Sequence, residues 1–592
     1  MKKHIIFGAL AVVAASMTSC NDLLDDNRFQ PQTQVNRPEY WNEQNNVNLQ
    51  LNGLYGYYTG YGNGSTWSTN FYNHGLSDDQ TAYMQSGVGM AFAEWNFRQA
   101  PSTSSVWSST YAALRRINTI VEGLEGSTLP EGIKNNALGI ARMNRAYQYW
   151  DLVRCYGDVP LIKKVLNVDS EELYGPRTNR NEVMDYVLED LNFAVAHILK
   201  ESSKIEWSND MAQAMKAEIC LFEGAFAKYH QNDTERAKKY FTEAAKAAAA
   251  VMGKYPLCDD YQSLYNSYYV ATENIPSLTG NPEVIFLKGY AEGQLGNSLV
   301  PYLCNQQNGG ITKDAFDAYL FKDGLPKALT TENTDDAGVI DADGNLSIAA
   351  ALAVRDKRLS KTVEEIVAFG TEMKWARPNA NPQTSVTGYM IKKFNNVNIP
   401  LADATTEGRG YTAAPIFWGA RVKLAYAEAK AELGTLGEAG LTDADLNVTI
   451  NEIFTRAGLP TRTVAELSAI NDPANNMNVS SLLWEIRRCR RCELIMDENI
   501  RYWDLIRWHQ LDKLDTQNYP NIMLGANLKN VPADKLGGVY INSDGYIQSN
   551  VSNAGTQTRV FTDREYLYPI GTAQINLYAE HGYELEQNPG WK

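Results

Sequence analysis

The stretch Arg145-Ala146-Tyr147-Gln148-Tyr149-Trp150-Asp151-Leu152-Val153-Arg154-Cys155-Tyr156-Gly157-Asp158-Val159-Pro160-Leu161-Ile162 decides the class of fold. Ala146, Tyr149, Trp150, Val153 and Tyr156 recur at three- and four-residue steps, the spacing that gathers side chains on one face of an α-helix. Gly157 and Pro160 then stop the helix and redirect the chain. The spacing predicts a helix over residues 137–156 whose broad apolar face must be buried against another element.

Working outward, the neighbours supply that element. Residues 105–124 form the other half of a helical pair. Residues 180–199 follow Thr178-Asn179, a capping pair, and carry Val183, Tyr186, Val187 and Leu191 in register. Residues 209–230 and 233–252 form a second pair, split at His230-Gln231-Asn232-Asp233, and its second member is rich in Ala, a strong helix former. Upstream, Val47, Leu51, Leu54, Tyr55 and Tyr58 make one apolar stripe. Downstream, helices are expected at 413–434 and 443–457, and a long one at about 480–511. Helix–turn–helix pairs with small residues at close positions resemble tetratricopeptide repeats, although the full repeat consensus is not matched. The predicted class is mainly α: a TPR-like helical-hairpin body with long loop-rich insertions and little β structure.

The insertions are residues 57–103, rich in Gly, Ser, Asn and aromatics, residues 255–412, and the tail from 512. Loops of that length in a compact domain are usually functional. The expected organisation is a signal at 1–19, a tether at 20–40, a helical region at 41–254 that holds the 57–103 loop, and a second region at 255–592. That second region divides into a loop-rich part at 255–412, a helical part at 413–511 and a loop-rich tail at 512–592.

The N-terminus reads as an address. Lys2 and Lys3 precede an apolar run from Ile5 to Met17, which ends in Thr18-Ser19-Cys20. A basic start, a short apolar run and a small-residue site make a secretory signal too short to span a bilayer. A cysteine directly after it is similar to a bacterial lipobox, which implies cleavage before Cys20 and lipidation there. Several acyl chains anchor firmly, since each buried methylene contributes about 0.8 kcal/mol. Asp22, Asp25 and Asp26 beyond it resemble the surface-export signal of Bacteroidetes lipoproteins.

Composition excludes some functions. A formal net charge of -15 over 592 residues disfavours nucleic acid, whose phosphates need clustered Lys and Arg. Six His form no metal-ligating spacing, and neither a nucleophile elbow nor a phosphate loop is present. The cysteines at 20, 155, 220, 258, 304, 489 and 492 are too scattered for a disulfide framework. Cys489-Arg490-Arg491-Cys492 falls within a predicted helix and reads as packing. No cofactor or metal is expected, with a structural calcium left open.

Four segments carry a resemblance. The first is residues 145–162. The second is Arg501-Tyr502-Trp503-Asp504-Leu505-Ile506-Arg507-Trp508. The third is Leu567-Tyr568-Pro569-Ile570 with Asn588-Pro589-Gly590-Trp591. The fourth is Ala425-Tyr426-Ala427-Glu428-Ala429 with Arg456-Ala457-Gly458-Leu459-Pro460. Behind a lipobox, they resemble the SusD/RagB family of outer-membrane nutrient-uptake lipoproteins. One departure is Asp497-Glu498-Asn499, where the family commonly has Glu-Gly, and it bears on the local helix geometry. The resemblance implies a surface-exposed outer-membrane lipoprotein that catalyses nothing. It would capture an oligosaccharide or polysaccharide and deliver it to a SusC-like TonB-dependent barrel.

Sugar binding needs flat aromatic faces and a few fixed polar groups. The chain holds 34 Tyr and 12 Trp, and its loops place several of them suitably. Trp67 and Trp95 are the candidate stacking platforms, with Tyr61 and Tyr72 in the same loop. Asp78 or Asp79 is the candidate hydroxyl acceptor and Arg377 the bidentate donor. Tyr290, Tyr302, Trp375 and Tyr411 complete the set. The alternatives are capture of peptides or another non-sugar nutrient on the same scaffold, a scaffold that binds only protein partners, and a helical glycoside hydrolase using two carboxylates about 5–10 Å apart.

Overall fold

The computed structural model of the protein describes residues 37–65, 77–81, 99–269, 277–301, 303, 309–552 and 555–591. Six main helices come first: α1 (Gln44–Asn52), α2 (Ser105–Glu125), α3 (Glu131–Tyr156), α4 (Arg180–His197), α5 (Asn209–Tyr229) and α6 (Thr234–Met252). Of the helices that follow, six are used below: α7 (Gly419–Thr435), α8 (Asp443–Asn447), α9 (Ile450–Ala457), α10 (Ser481–Glu493), α11 (Ile500–Arg507) and α12 (Thr572–Glu580). Four strands matter below: β1 (Gln80–Thr81), β2 (Val284–Lys288), β3 (Gly310–Ile311) and β4 (Ala414–Trp418). Sheets among the described residues have two or three strands, so the fold is mainly α.

The helices start where polar side chains satisfy their first free N–H groups. Ser104, Asn179, Ser208 and Asp233 each accept such a bond, at α2, α4, α5 and α6. At the other end of α3, Gly157 has φ +71°, a conformation that needs no Cβ. The Asp158–Ile162 turn is then fixed by its carbonyls. Tyr111 donates to Pro160 O at 2.9 Å, and Tyr149 to Ile162 O at 2.6 Å.

Three expectations needed correction. The segment expected as helix 413–434 opens as the strand β4, and α7 begins only at Gly419. Every residue of β4 is buried and it pairs antiparallel with β2, so partners on both faces override helical spacing. The 443–457 helix divides into α8 and α9. The long 480–511 helix divides into α10 and α11, because Met496, Glu498 and Asn499 all have φ between +44° and +64°. The last lies directly before α11, where the resembled family has Gly, and Asn is among the few side chains that tolerate this region. The tail also holds a helix, α12, that was not expected.

Two apolar cores result. The first gathers α1–α6 with β2, β4, α11 and the C-terminal segment; the second gathers residues 258–470 with α10 and parts of 526–547. α7 belongs to both: Val422, Ala425, Ala429 and Leu433 face the first core, and Ala420, Leu424, Ala427 and Ala431 face the second. Its three- and four-residue spacing thus serves two opposite stripes.

Candidate ligand-binding loops

The loop stems are fixed to this frame in two places. In the first, residues 59–64 lie along β2 and the loops at 290–298 and 408–412. Lys288 donates to Thr59 O at 3.0 Å and to the Asn63 side chain at 2.6 Å. Tyr290 donates its hydroxyl to Gly62 O at 2.7 Å. Gly64 N donates to Gly296 O at 2.7 Å, and the Ser298 hydroxyl donates to Gly64 O at 3.0 Å. Gly410 and Asn297 exchange backbone bonds at 2.7 and 3.0 Å. Close approach explains the glycines here: a Cβ on Gly60 would lie 3.1 Å from both Ala414 and Tyr290. Burial pulls the Lys288 ammonium down to about 8.

The second place is ionic. Arg501 holds Asp78 with two bonds of 2.8 and 2.7 Å. Arg491 donates to Asp79 Oδ1 at 2.7 Å, to Asp314 at 2.8 Å and to Asp78 O at 3.2 Å. Thr312 completes the clasp, its hydroxyl donating to Asp78 O at 2.7 Å and its N–H to Asp79 O at 3.0 Å. Beside it, β1 pairs with β3, Gln80 opposite Ile311. Burial pushes the Asp78 carboxyl up, but Arg491 and Arg501 outweigh it and hold it well below the usual range. For Asp79 burial wins over Arg491, with the Asp78 charge adding to the upward shift.

Five proposed ligand residues are therefore structural, which corrects the sequence reading. Asp78 and Asp79 are 3% and 1% exposed and committed to arginines, so neither offers a carboxylate to a ligand. Tyr61 and Tyr290 are equally buried, with ring centroids 6.4 Å apart and nearly parallel planes. Arg377 is turned inward, donating to Ile391 O at 2.5 Å with Glu364 3.6 Å away, rather than forking outward. Trp375 and Tyr411 are half-buried. Tyr411 leans on Tyr268 at 4.9 Å between centroids, while the Trp375 backbone pairs with Gln383. Trp67, Tyr72, Trp95, Tyr302 and Cys20 lie outside the described residues.

Sequence reasoning missed Arg491, Arg501, Thr312 and Lys288. Arg501 stands in a quoted motif, yet nothing local signals that its partner lies more than 400 positions away. Among the described residues no group of His, Cys, Asp or Glu is arranged to hold a metal. Cys489 and Cys492 are both buried and unbridged, and burial pushes the Cys489 thiol up to about 12.

Residues 282–591, more than half of the chain, match the family model described as the SusD family. The chain belongs to the SusD family. A second model, described as "Starch-binding associating with outer membrane", matches residues 22–221. A SusD-like protein of Bacteroides ovatus is 24% identical over 198 residues, which are 30% of this chain and 35% of that protein. The match thus spans about a third of the relative's length. Among solved structures, a SusD-like carbohydrate binding protein from Bacteroides fragilis superposes with a TM-score of 0.66 at 21% identity, covering 91% of this chain and 99% of that one. Surface glycan-binding protein A from Bacteroides fluxus gives 0.58 at 18% identity, covering 93% and 100%. At these identities the likeness is one of fold. SusD-family membership brings with it an association with the outer membrane, and no helix among the described residues is long and apolar enough to cross one.

Proposed function

We propose that this SusD-family protein is a surface lipoprotein, anchored through Cys20, that captures an oligosaccharide without altering it. It passes the sugar to a SusC-like TonB-dependent barrel. The observation that carries this reading is the double fastening of the loop stems. The stretch with Trp67 and Tyr72 lies in sequence between Gly64, held by Ser298, and Asp78, held by Arg501. The stretch with Trp95 follows β1 in sequence, and β1 is paired to β3, which follows Tyr302 in sequence. Described residues that adjoin these three aromatic-bearing stretches in sequence are thus bound to one frame, and a fixed base lowers the ordering cost of binding. Trp67 and Trp95 are the stacking platforms in this reading, and Tyr72, Tyr302, Trp375 and Tyr411 are the further candidate contacts.

Calorimetric titration of Trp67→Ala and Trp95→Ala against a panel of oligosaccharides tests the assignment. Loss of one stacking ring is expected to weaken binding by about 1–2 kcal/mol, roughly tenfold. Variants that stay folded and bind like wild type would overturn it. For the anchor, Cys20→Ala should release the protein from the outer-membrane fraction.

A further inference from the structure

A cleft on the side of the first core is lined by Tyr58 and Thr59 at the base of the loop stem and by α3, α5, β4, α7, α10 and α11. Its cavity is about 60 Å³. At roughly 10–15 Å³ per water that is room for about four to six waters, comparable to one edge of a hexose ring. Exposed Thr59 and half-buried Tyr147, Arg154, Glu498 and Trp503 stand at the mouth; Trp150, Glu218 and Arg490 lie deep.

Its polar groups are incompletely used. Arg490 donates through Nε to Asp504 at 2.8 Å and through Nη2 to Glu218 at 3.3 Å, while Nη1 meets no acceptor among the described residues. Trp150 Nε1 meets none either, although the two residues are only 2% and 8% exposed. Glu218 Oε1 lies 3.2 Å from Arg421 Nε, an ion pair without an aligned hydrogen bond. Buried donors without partners are rare and costly, and two of them on one cleft call for an occupant that accepts.

The charges say what kind. Arg154, Arg421, Arg490 and Arg507 are matched by Asp151, Glu218, Glu498, Asp504 and Glu428, four cations against five carboxylates. An anion is therefore not favoured. A neutral group that both accepts and donates suits the set. The apolar contribution comes from rings: the Arg154 guanidinium lies 4.2 Å from the centroids of both Trp150 and Trp503, and Tyr147 is 5.9 Å from Trp150. Alternating flat rings and hydroxyl-sized polar partners are the features that hold a sugar edge.

We propose that this cleft is a second ligand site, which takes the end of a neutral saccharide or polyol. Its hydroxyl oxygens accept from Trp150 Nε1 and Arg490 Nη1, and a hydroxyl proton is donated to Glu218. The choice of a saccharide as guest rests on the function proposed above; the cavity and its donors do not.

Saturation-transfer NMR on the full chain, with methyl α-glucoside, methyl β-galactoside and glycerol as probes, tests the site. Transfer is expected for wild type and for the Trp67→Ala/Trp95→Ala double variant. Trp150→Phe, which keeps the ring and loses the N–H, should raise the dissociation constant about fivefold to tenfold. Should that variant unfold, Thr59→Trp in the Trp67→Ala/Trp95→Ala background blocks the mouth from the surface and should produce the same loss. The proposal is overturned by absence of transfer to wild type, by its disappearance in the double variant, or by wild-type binding in a folded Trp150→Phe and in that Thr59→Trp variant. The loop reading fails separately, if the double variant binds oligosaccharides like wild type.

Discussion

The helices α6 and α10 bury themselves in opposite ways. α6 packs by methyl groups and two rings: Ala237, Tyr240, Phe241, Ala244, Ala245, Ala247, Ala248 and Val251 are inside. α10 buries Arg487, Arg488 and Arg490 beside Leu483, Ile486 and two cysteines, and Arg491 is half-buried next to them. Each guanidinium has a carboxylate from elsewhere: Glu432 for Arg487, Asp472 for Arg488, Asp504 and Glu218 for Arg490, and Asp78, Asp79 and Asp314 for Arg491. Apolar packing tolerates changes of partner, whereas a buried ion pair requires one particular partner in one geometry. α6 thus supplies stability, and α10 sets which distant segments meet, the loop stem at Asp78 included.

The largest way to break this contrast is Arg491→Met. It leaves Asp79 and Asp314 without their cation, and removing one partner of a buried pair costs about 3–5 kcal/mol. Chemical denaturation measures the loss, and sugar affinity should fall with it because the loop stem is released. A loss below about 1 kcal/mol would show that α10 does not fasten the stem.

On the apolar side, Gly224→Ala places a Cβ 2.7 Å from the Phe241 ring at the α5–α6 contact. Overpacking of this kind costs about 1–3 kcal/mol, and α6 is expected to shift rather than release a segment, leaving affinity unchanged. The two variants therefore separate stability from specificity.

A third test uses pH at the junction of α5 and α11. His230 stacks on Phe226 with centroids 4.0 Å apart, and its Nε2 lies 2.6 Å from Ile506 O. Burial pulls its pKa down to about 3, with His509 and Arg180 adding to the fall against the Ile506 bond. The native imidazole stays neutral while the unfolded chain takes up a proton below about 6.5. Stability from this group is therefore complete above that pH and lost as pH falls toward 3. Between pH 6.5 and 5 wild type should lose about 1–2 kcal/mol more than His230→Gln. Parallel curves for the two proteins would refute the sign.

The smallest effect concerns α10 itself. With the Cys489 thiol raised to about 12 and both cysteines buried, native protein at pH 8 should leave the pair unalkylated. Denatured protein should react fully, as mass spectrometry would register. Rapid native labelling would mean that the helix opens locally.

Much of the fold was legible. Periodicity located α2 through α6 within a few residues, apart from an earlier start for α3, and the expected cap at Asn179 is present. The same reasoning failed at β4, where a strand hides within a helical spacing, and at Met496–Asn499, where tertiary contacts hold side chains at positive φ. At the candidate site it assigned several buried residues to ligand contact. Asp78, Asp79 and Arg377 looked like ligand groups because polar side chains in aromatic loops usually face solvent, and here they are turned inward.

The sequence by itself determined helices α2 to α6, the cap at Asn179, the stop at Gly157 and the family motifs, since these depend on neighbours within a turn or two. Only the tertiary structure decided which carboxylate answers which arginine, because those partners are drawn from segments as far apart as Asp78 and Arg501. Their cost when unmatched, rather than any local preference, fixes the pairing.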